Sequence, residues 1–129
     1  MSGSTVATRI TGMRTVGVPV LDQGRALEFY TSVLGLTKTL DVGLGGGARW
    51  IEVMPVGGGT TIALVSAKPD APAGVETGIR LGTPDADALH ANLLERGVSA
   101  DEVLRWPGVP PMFAFRDPDG NGLEIVQDA

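Results

Sequence analysis

The chain contains no cysteine and a single histidine. Without thiols there can be no disulfide framework, thiolate zinc site, iron–sulfur cluster or cysteine nucleophile, and one histidine excludes any site that needs two. Basic residues are also scarce. Ten Lys and Arg stand against fifteen Asp and Glu, and the net charge of -5 is opposite in sign to a nucleic-acid footprint. Neutral or cationic small molecules are better suited as partners. No apolar run approaches the ~18–20 residues of a membrane helix, so no membrane partner is expected. The opening segment MSGSTVATRI has one Arg and lacks the apolar h-region of a secretory signal, which makes a cytoplasmic location the expectation.

The composition is globular: 43% of 129 residues are hydrophobic and 19% charged. This is the size of one domain, 1–129, able to bury roughly two-thirds of its unfolded surface. Glycines cluster at Gly43–Gly47 and Gly57–Gly59, which read as hairpin loops. Alternation predicts strands at Ala48–Val56 and Thr60–Val65, and a second hairpin at Met112–Arg116 and Gly122–Gln127 around the turn formers Asp117-Pro-Asp-Gly-Asn121. Two helices are predicted from their ends. One is capped by Asp22 and stops at Gly35; the other has Thr83 as cap, Pro84 at its first position and stops at Gly97. A short strand precedes each, Thr15–Val20 and Gly78–Gly82. Caps, stops and final strands recur at a spacing of roughly 60 residues, so the chain reads as an α+β fold of two βαβββ modules, about 10–67 and 75–128. Neither half is large enough to stand alone, so the modules should pair, within or between chains.

Strand parity then sorts the side chains. Val16, Val18, Val20, Ile51, Val53, Ile62, Leu64, Ile79, Leu81, Phe113, Phe115, Leu123 and Ile125 belong against the helices. The opposite face forms a cup, where Thr15, Trp50, Glu52, Met54, Ala63, Arg80, Met112 and Glu124 are the candidate ligand-binding residues. Trp50 with Met54 offers a stacking surface for an aromatic ligand or for a second copy of the chain. Glu52 between them requires a cation, an arginine or water, and Arg80 is its expected partner. Trp106, in the proline-rich loop Arg105–Pro111, is a candidate lid. His90 lies off the apolar stripe of its helix and reads as a surface residue.

The stretch Val18-Pro-Val-Leu-Asp-Gln-Gly-Arg-Ala-Leu-Glu-Phe-Tyr-Thr-Ser-Val-Leu-Gly35, with Phe115-Arg-Asp-Pro-Asp-Gly-Asn-Gly-Leu-Glu-Ile-Val126, resembles the vicinal oxygen chelate superfamily. This is the glyoxalase, bleomycin-resistance and extradiol-dioxygenase group, and the resemblance runs from about Ile10 to Gln127. It implies a cup-shaped mixed β-sheet, the glyoxalase/bleomycin resistance/dihydroxybiphenyl dioxygenase fold. It also implies that a metal, if present, would be held by side chains on the first, fourth, fifth and eighth strands. Those positions fall on Thr15, Ala63, a place near Gly78 with Glu76 two residues earlier, and Glu124. At most Glu124 and Glu76 could serve a divalent ion, so no cofactor is expected. The resemblance further implies a homodimer. Three readings follow: a protein that binds a small, partly aromatic, neutral or cationic molecule without metal catalysis; a divalent-metal lyase, isomerase or dioxygenase using Glu124; and a metal-free enzyme with Glu52 or Glu124 as a base raised in pKa.

Overall fold

In the computed structural model the described residues are 7–128. The reading of the N-terminal segment rests partly on residues 1–6, outside that range. Strand β1 (Thr15–Val20) leads into helix α1 (Gln23–Glu28), which widens into a π-type turn over Phe29–Val33; β2 (Thr37–Gly45), β3 (Ala48–Met54) and β4 (Thr61–Ser66) complete the first module. The second comprises β5 (Glu76–Thr83), α2 (Ala86–Glu95), β6 (Met112–Arg116) and β7 (Gly122–Gln127). The sheets are mixed, ordered β1-β4-β3-β2 and β5-β7-β6, so β1 and β5 each leave one edge unpaired. The fold is α+β, as the sequence predicts. Among the described residues no helix is long and apolar enough to cross a membrane.

Asp22 caps α1 as expected, its carboxylate accepting from Arg25 N–H at 2.9 Å, and Gly35 ends the helical stretch at a φ of 77° that only glycine adopts without strain. The cap of α2 differs from the expectation. Asp85, whose carboxylate accepts from Ala88 N–H at 3.0 Å, takes the role given to Thr83, because Thr83 is still pairing with Gln127 as the last residue of β5. The second module also departs from the predicted repeat: the counterpart of β2 is reduced to two bridges, Ala100 with Phe115 and Leu104 with Met112. The segment leading into β6 carries Pro107, Pro110 and Pro111, which have no N–H to give to a ladder.

One core spans both modules. Val18, Val20, Tyr30, Ile51, Val53, Ile62 and Leu64 of the first pack with Leu93, Phe113, Phe115, Leu123 and Ile125 of the second. Val16, Ile79 and Leu81 pack against it half-buried, so the parity assignment of the core holds throughout. The modules are pinned together by the turn between β6 and β7. Asn121, fully buried, accepts from Gly74 and Val75 N–H through Oδ1, and through Nδ2 donates to Asp117 and to the Pro19 carbonyl. Tyr30 donates to Asp117 at 2.8 Å, and Arg25 pairs with Asp119. Burial, then the adjacent Asp117 charge, pushes the Tyr30 phenol far above its usual range, so it stays a neutral donor.

Candidate functional site: a cleft between two free strand edges

Register fixes which side chains share the cup face. On the first sheet Gly17 pairs with Ala63, Ala63 with Glu52 and Glu52 with Leu40, while Trp50 pairs with Val42 and Met54 with Thr37. On the second, Arg80 and Ala114 flank Glu124, Glu76 and Arg116 flank Gly122, and Met112 pairs with Val126. The residues expected to share a face therefore do so within each sheet.

Glu52 is 3% exposed, and its carboxylate is fully engaged. It accepts from Trp50 Nε1 at 2.7 Å, Thr61 Oγ1 at 2.8 Å and Arg14 Nη1 at 3.0 Å. These donors, led by Trp50 and then Thr61, hold its pKa below the ordinary glutamate value despite burial. Glu52 is thus a locked carboxylate. It is not a base with raised pKa, and its cation is Arg14 rather than Arg80. Nothing in the sequence marked Arg14, which lies just ahead of β1. Arg80 instead pairs with Glu124 at 3.1 Å, and Arg116 pairs with Glu76 across Gly122, where any Cβ would collide with both side chains. Three arginines answer three glutamates, so these six side chains give the cup no net charge and leave none of the three glutamates unpaired to attract a cationic ligand.

A cleft of about 460 Å³ is lined from β1 by Val16 and Gly17, from β4 by Thr61 and Ile62, and from β5 by the run Thr77–Gly82. Met13, Pro55, Gly58 and Thr60 complete its wall. It is contiguous with Glu52 through Thr61. Of the candidate ligand-binding residues, Arg80 alone lines it. Trp50 is tied to Glu52, Thr15 donates to the Thr61 carbonyl, and Met54, Ala63, Met112 and Glu124 sit on the adjoining cup faces. Trp106 is 54% exposed and outside the cleft. Parity correctly assigned Ile62, Ile79 and Leu81 to the core side, yet each also reaches the cleft, because the gap between two sheet edges exposes both faces of the strands beside it.

The donor set at the four metal positions can be tested. Thr15 has its hydroxyl on Thr61, Ala63 has no donor, Gly78 has no side chain and Glu124 is held by Arg80. Among the described residues no three His, Cys, Asp or Glu side chains gather in a cluster fit for a metal ion. These residues do not fit a divalent ion.

Residues 12–125 match the family model described as "Glyoxalase/Bleomycin resistance protein/Dioxygenase superfamily". The chain is 30% identical over 118 residues to the uncharacterized protein YurT of Bacillus subtilis (strain 168), covering 84% of this chain and 92% of that one. Among solved structures, TnmS3, an antibiotic binding protein from Streptomyces sp. CB03234, superposes with a TM-score of 0.83 at 35% identity, over 95% of this chain and 99% of its own. A glyoxalase/bleomycin resistance protein from the same organism superposes at 0.78 with 38% identity, covering 90% and 100%. With its pattern of two mixed sheets over one core and this match across nearly its whole length, the chain belongs to the glyoxalase/bleomycin resistance protein/dioxygenase superfamily.

Proposed function

We propose that this protein binds a small, neutral, partly aromatic molecule in the cleft and on the cup faces beside it, and that sequestration rather than metal chemistry is its activity. The observation that carries this reading is the combination of a 460 Å³ cleft with a cup whose carboxylates already have partners. The volume suits a drug-sized ligand, and the lining is mainly aliphatic, glycine and threonine residues with one charge. With Glu52 locked and Glu124 paired, neither carboxylate stands free as a base. Similarity to an antibiotic binding protein over nearly the whole chain supports an antibiotic as ligand. In this reading the protein acts by lowering the free concentration of its ligand.

The functional unit in this reading is a homodimer. Leu40, Val42 and Leu44 of the edge strand β2 are 36%, 46% and 60% exposed, with Leu40 and Val42 sharing a face with Trp50. An apolar strip on an unpaired edge is a surface that a second copy would cover. Light scattering at micromolar concentration should return about twice 13.3 kDa; a strict monomer ends this part of the reading.

Binding is tested by titrating the intrinsic tryptophan fluorescence with neutral, cationic and anionic aromatic antibiotics, before and after treatment of the protein with chelator. Neutral compounds should bind best, with affinity unchanged by chelation and well under one equivalent of divalent metal by elemental analysis. Stoichiometric metal that disappears in Glu124→Ala would replace this reading with the metal-enzyme one.

A further inference from the structure

Strand β5 is irregular where it borders the cleft. From Glu76, opposite Gly122, to Arg80, opposite Glu124, it advances four residues while β7 advances two. The two extra residues form a bulge around Gly78, whose φ of 74° only glycine accepts readily, and Ile79 N–H donates to Thr77 Oγ1. Because the surplus is even, Glu76 and Arg80 keep the same face. The bulge therefore leaves Arg80 on the cup side, and Arg80 lines the cleft.

Most side-chain donors around the cleft are already spent. Thr60 donates to the Met13 carbonyl, Thr61 to Glu52 and Thr77 to the Gly122 carbonyl. Arg80 is the exception. Its guanidinium has five N–H donors; one end meets Glu124 at 3.1 Å, another reaches the Gly78 carbonyl only at 3.5 Å, and the side chain is 62% exposed. It is also the one charged side chain in the lining.

We propose that Arg80 determines specificity by donating to a neutral acceptor oxygen, so that the cleft selects flat, apolar molecules carrying a carbonyl group. The inference rests on the cleft being the binding site. Glu124 supplies the second half of the selection. It keeps the guanidinium charge compensated, and its own negative charge disfavours an anionic ligand at the same place. An uncharged carbonyl takes a free N–H without displacing Glu124, whereas a carboxylate has to compete with it.

Amide NMR titrations of the full chain with tetralin, α-tetralone and tetralin carboxylate test this, since the three differ only at the position of interest. The ketone should bind about tenfold tighter than the hydrocarbon, the worth of one charge-assisted hydrogen bond in a partly exposed site, and tighter than the carboxylate. Arg80→Met should abolish the ketone's advantage while changing tetralin by less than about twofold, because the aliphatic stem remains. Glu124→Gln should raise affinity for the carboxylate severalfold. Gly17→Val should weaken all three probes: Gly17 lines the cleft, and a Cβ there meets nothing nearer than Val65 at 3.9 Å, so the branch point fits and the added methyls take up space at the cleft wall. If Gly17→Val weakens every probe but Arg80→Met leaves the ketone preferred, or if the carboxylate binds best to the unmodified protein, the role of Arg80 is refuted and the cleft stands. If Gly17→Val changes nothing, or millimolar ketone shifts no amide around the cleft, the binding site itself is misplaced.

Discussion

On the first sheet the cup face sets Leu40, Val42, Trp50 and Met54 around one buried carboxylate, whereas the second carries Glu76–Arg116 and Glu124–Arg80 as exposed ion pairs. The difference is one of dielectric. A carboxylate at 3% exposure must have donors in place, so Glu52 comes with Trp50, Thr61 and Arg14 and is immobile. The pairs on the second face are open to water, contribute little and can be exchanged. A ligand lying between the two modules meets a fixed wall on one side and an adjustable one on the other. The turns that close the two modules differ in the same sense: Asp117–Asn121 is knitted into the first module, whereas Pro55 and Gly58 of the equivalent turn border the cleft.

Breaking the knitted turn should have the largest effect. Asn121→Ala removes four hydrogen bonds from a fully buried position, and leaves the Gly74 and Val75 N–H groups and the Pro19 carbonyl without that partner; the expected loss is about 3 kcal/mol by urea denaturation. Gly57→Ala in the other turn, where a Cβ meets nothing within 4 Å, should stay within about 0.5 kcal/mol. Equal effects would erase the contrast between the turns.

The two cup faces separate next, and pH sharpens them. Glu52→Gln should cost about 2 kcal/mol at pH 7, because the Trp50, Thr61 and Arg14 donors lose an ionised acceptor. Since the folded pKa of Glu52 lies below its unfolded value, this stabilisation is complete above the ordinary glutamate range and disappears as pH falls through the lowered folded value. The variant should therefore approach the parent protein in stability in acid, as followed by denaturation from pH 7 down to pH 3. Glu124→Gln, on the exposed face, should change stability by less than about 1 kcal/mol.

The core was legible because it depends on period alone. Alternation placed Ile51, Val53, Phe113, Phe115, Leu123 and Ile125 against the helices, and all six are buried. Glu52 was legible as a carboxylate needing a partner, but not which partner. Arg14 lies just ahead of β1 and Arg80 in the middle of β5, and only the registers of β4 and β7 direct one to Glu52 and the other to Glu124. Thr83 misled as a cap because Asp85, two residues on, has equally good cap chemistry; pairing of Thr83 with Gln127 decided between them.

The sequence by itself determined the two modules, the faces of their strands and the turn formers, all of which are local properties of residue type and spacing. Only the tertiary structure decided where the cavity lies. A cleft between the free edges of β1 and β5 is a relation between strands about 60 residues apart, and its walls include residues such as Ile62 and Leu81 that local periodicity assigns wholly to the core. The charge balance of the cup was settled at the same level, because an ion pair depends on which strands become neighbours, and that depends on packing across the whole chain.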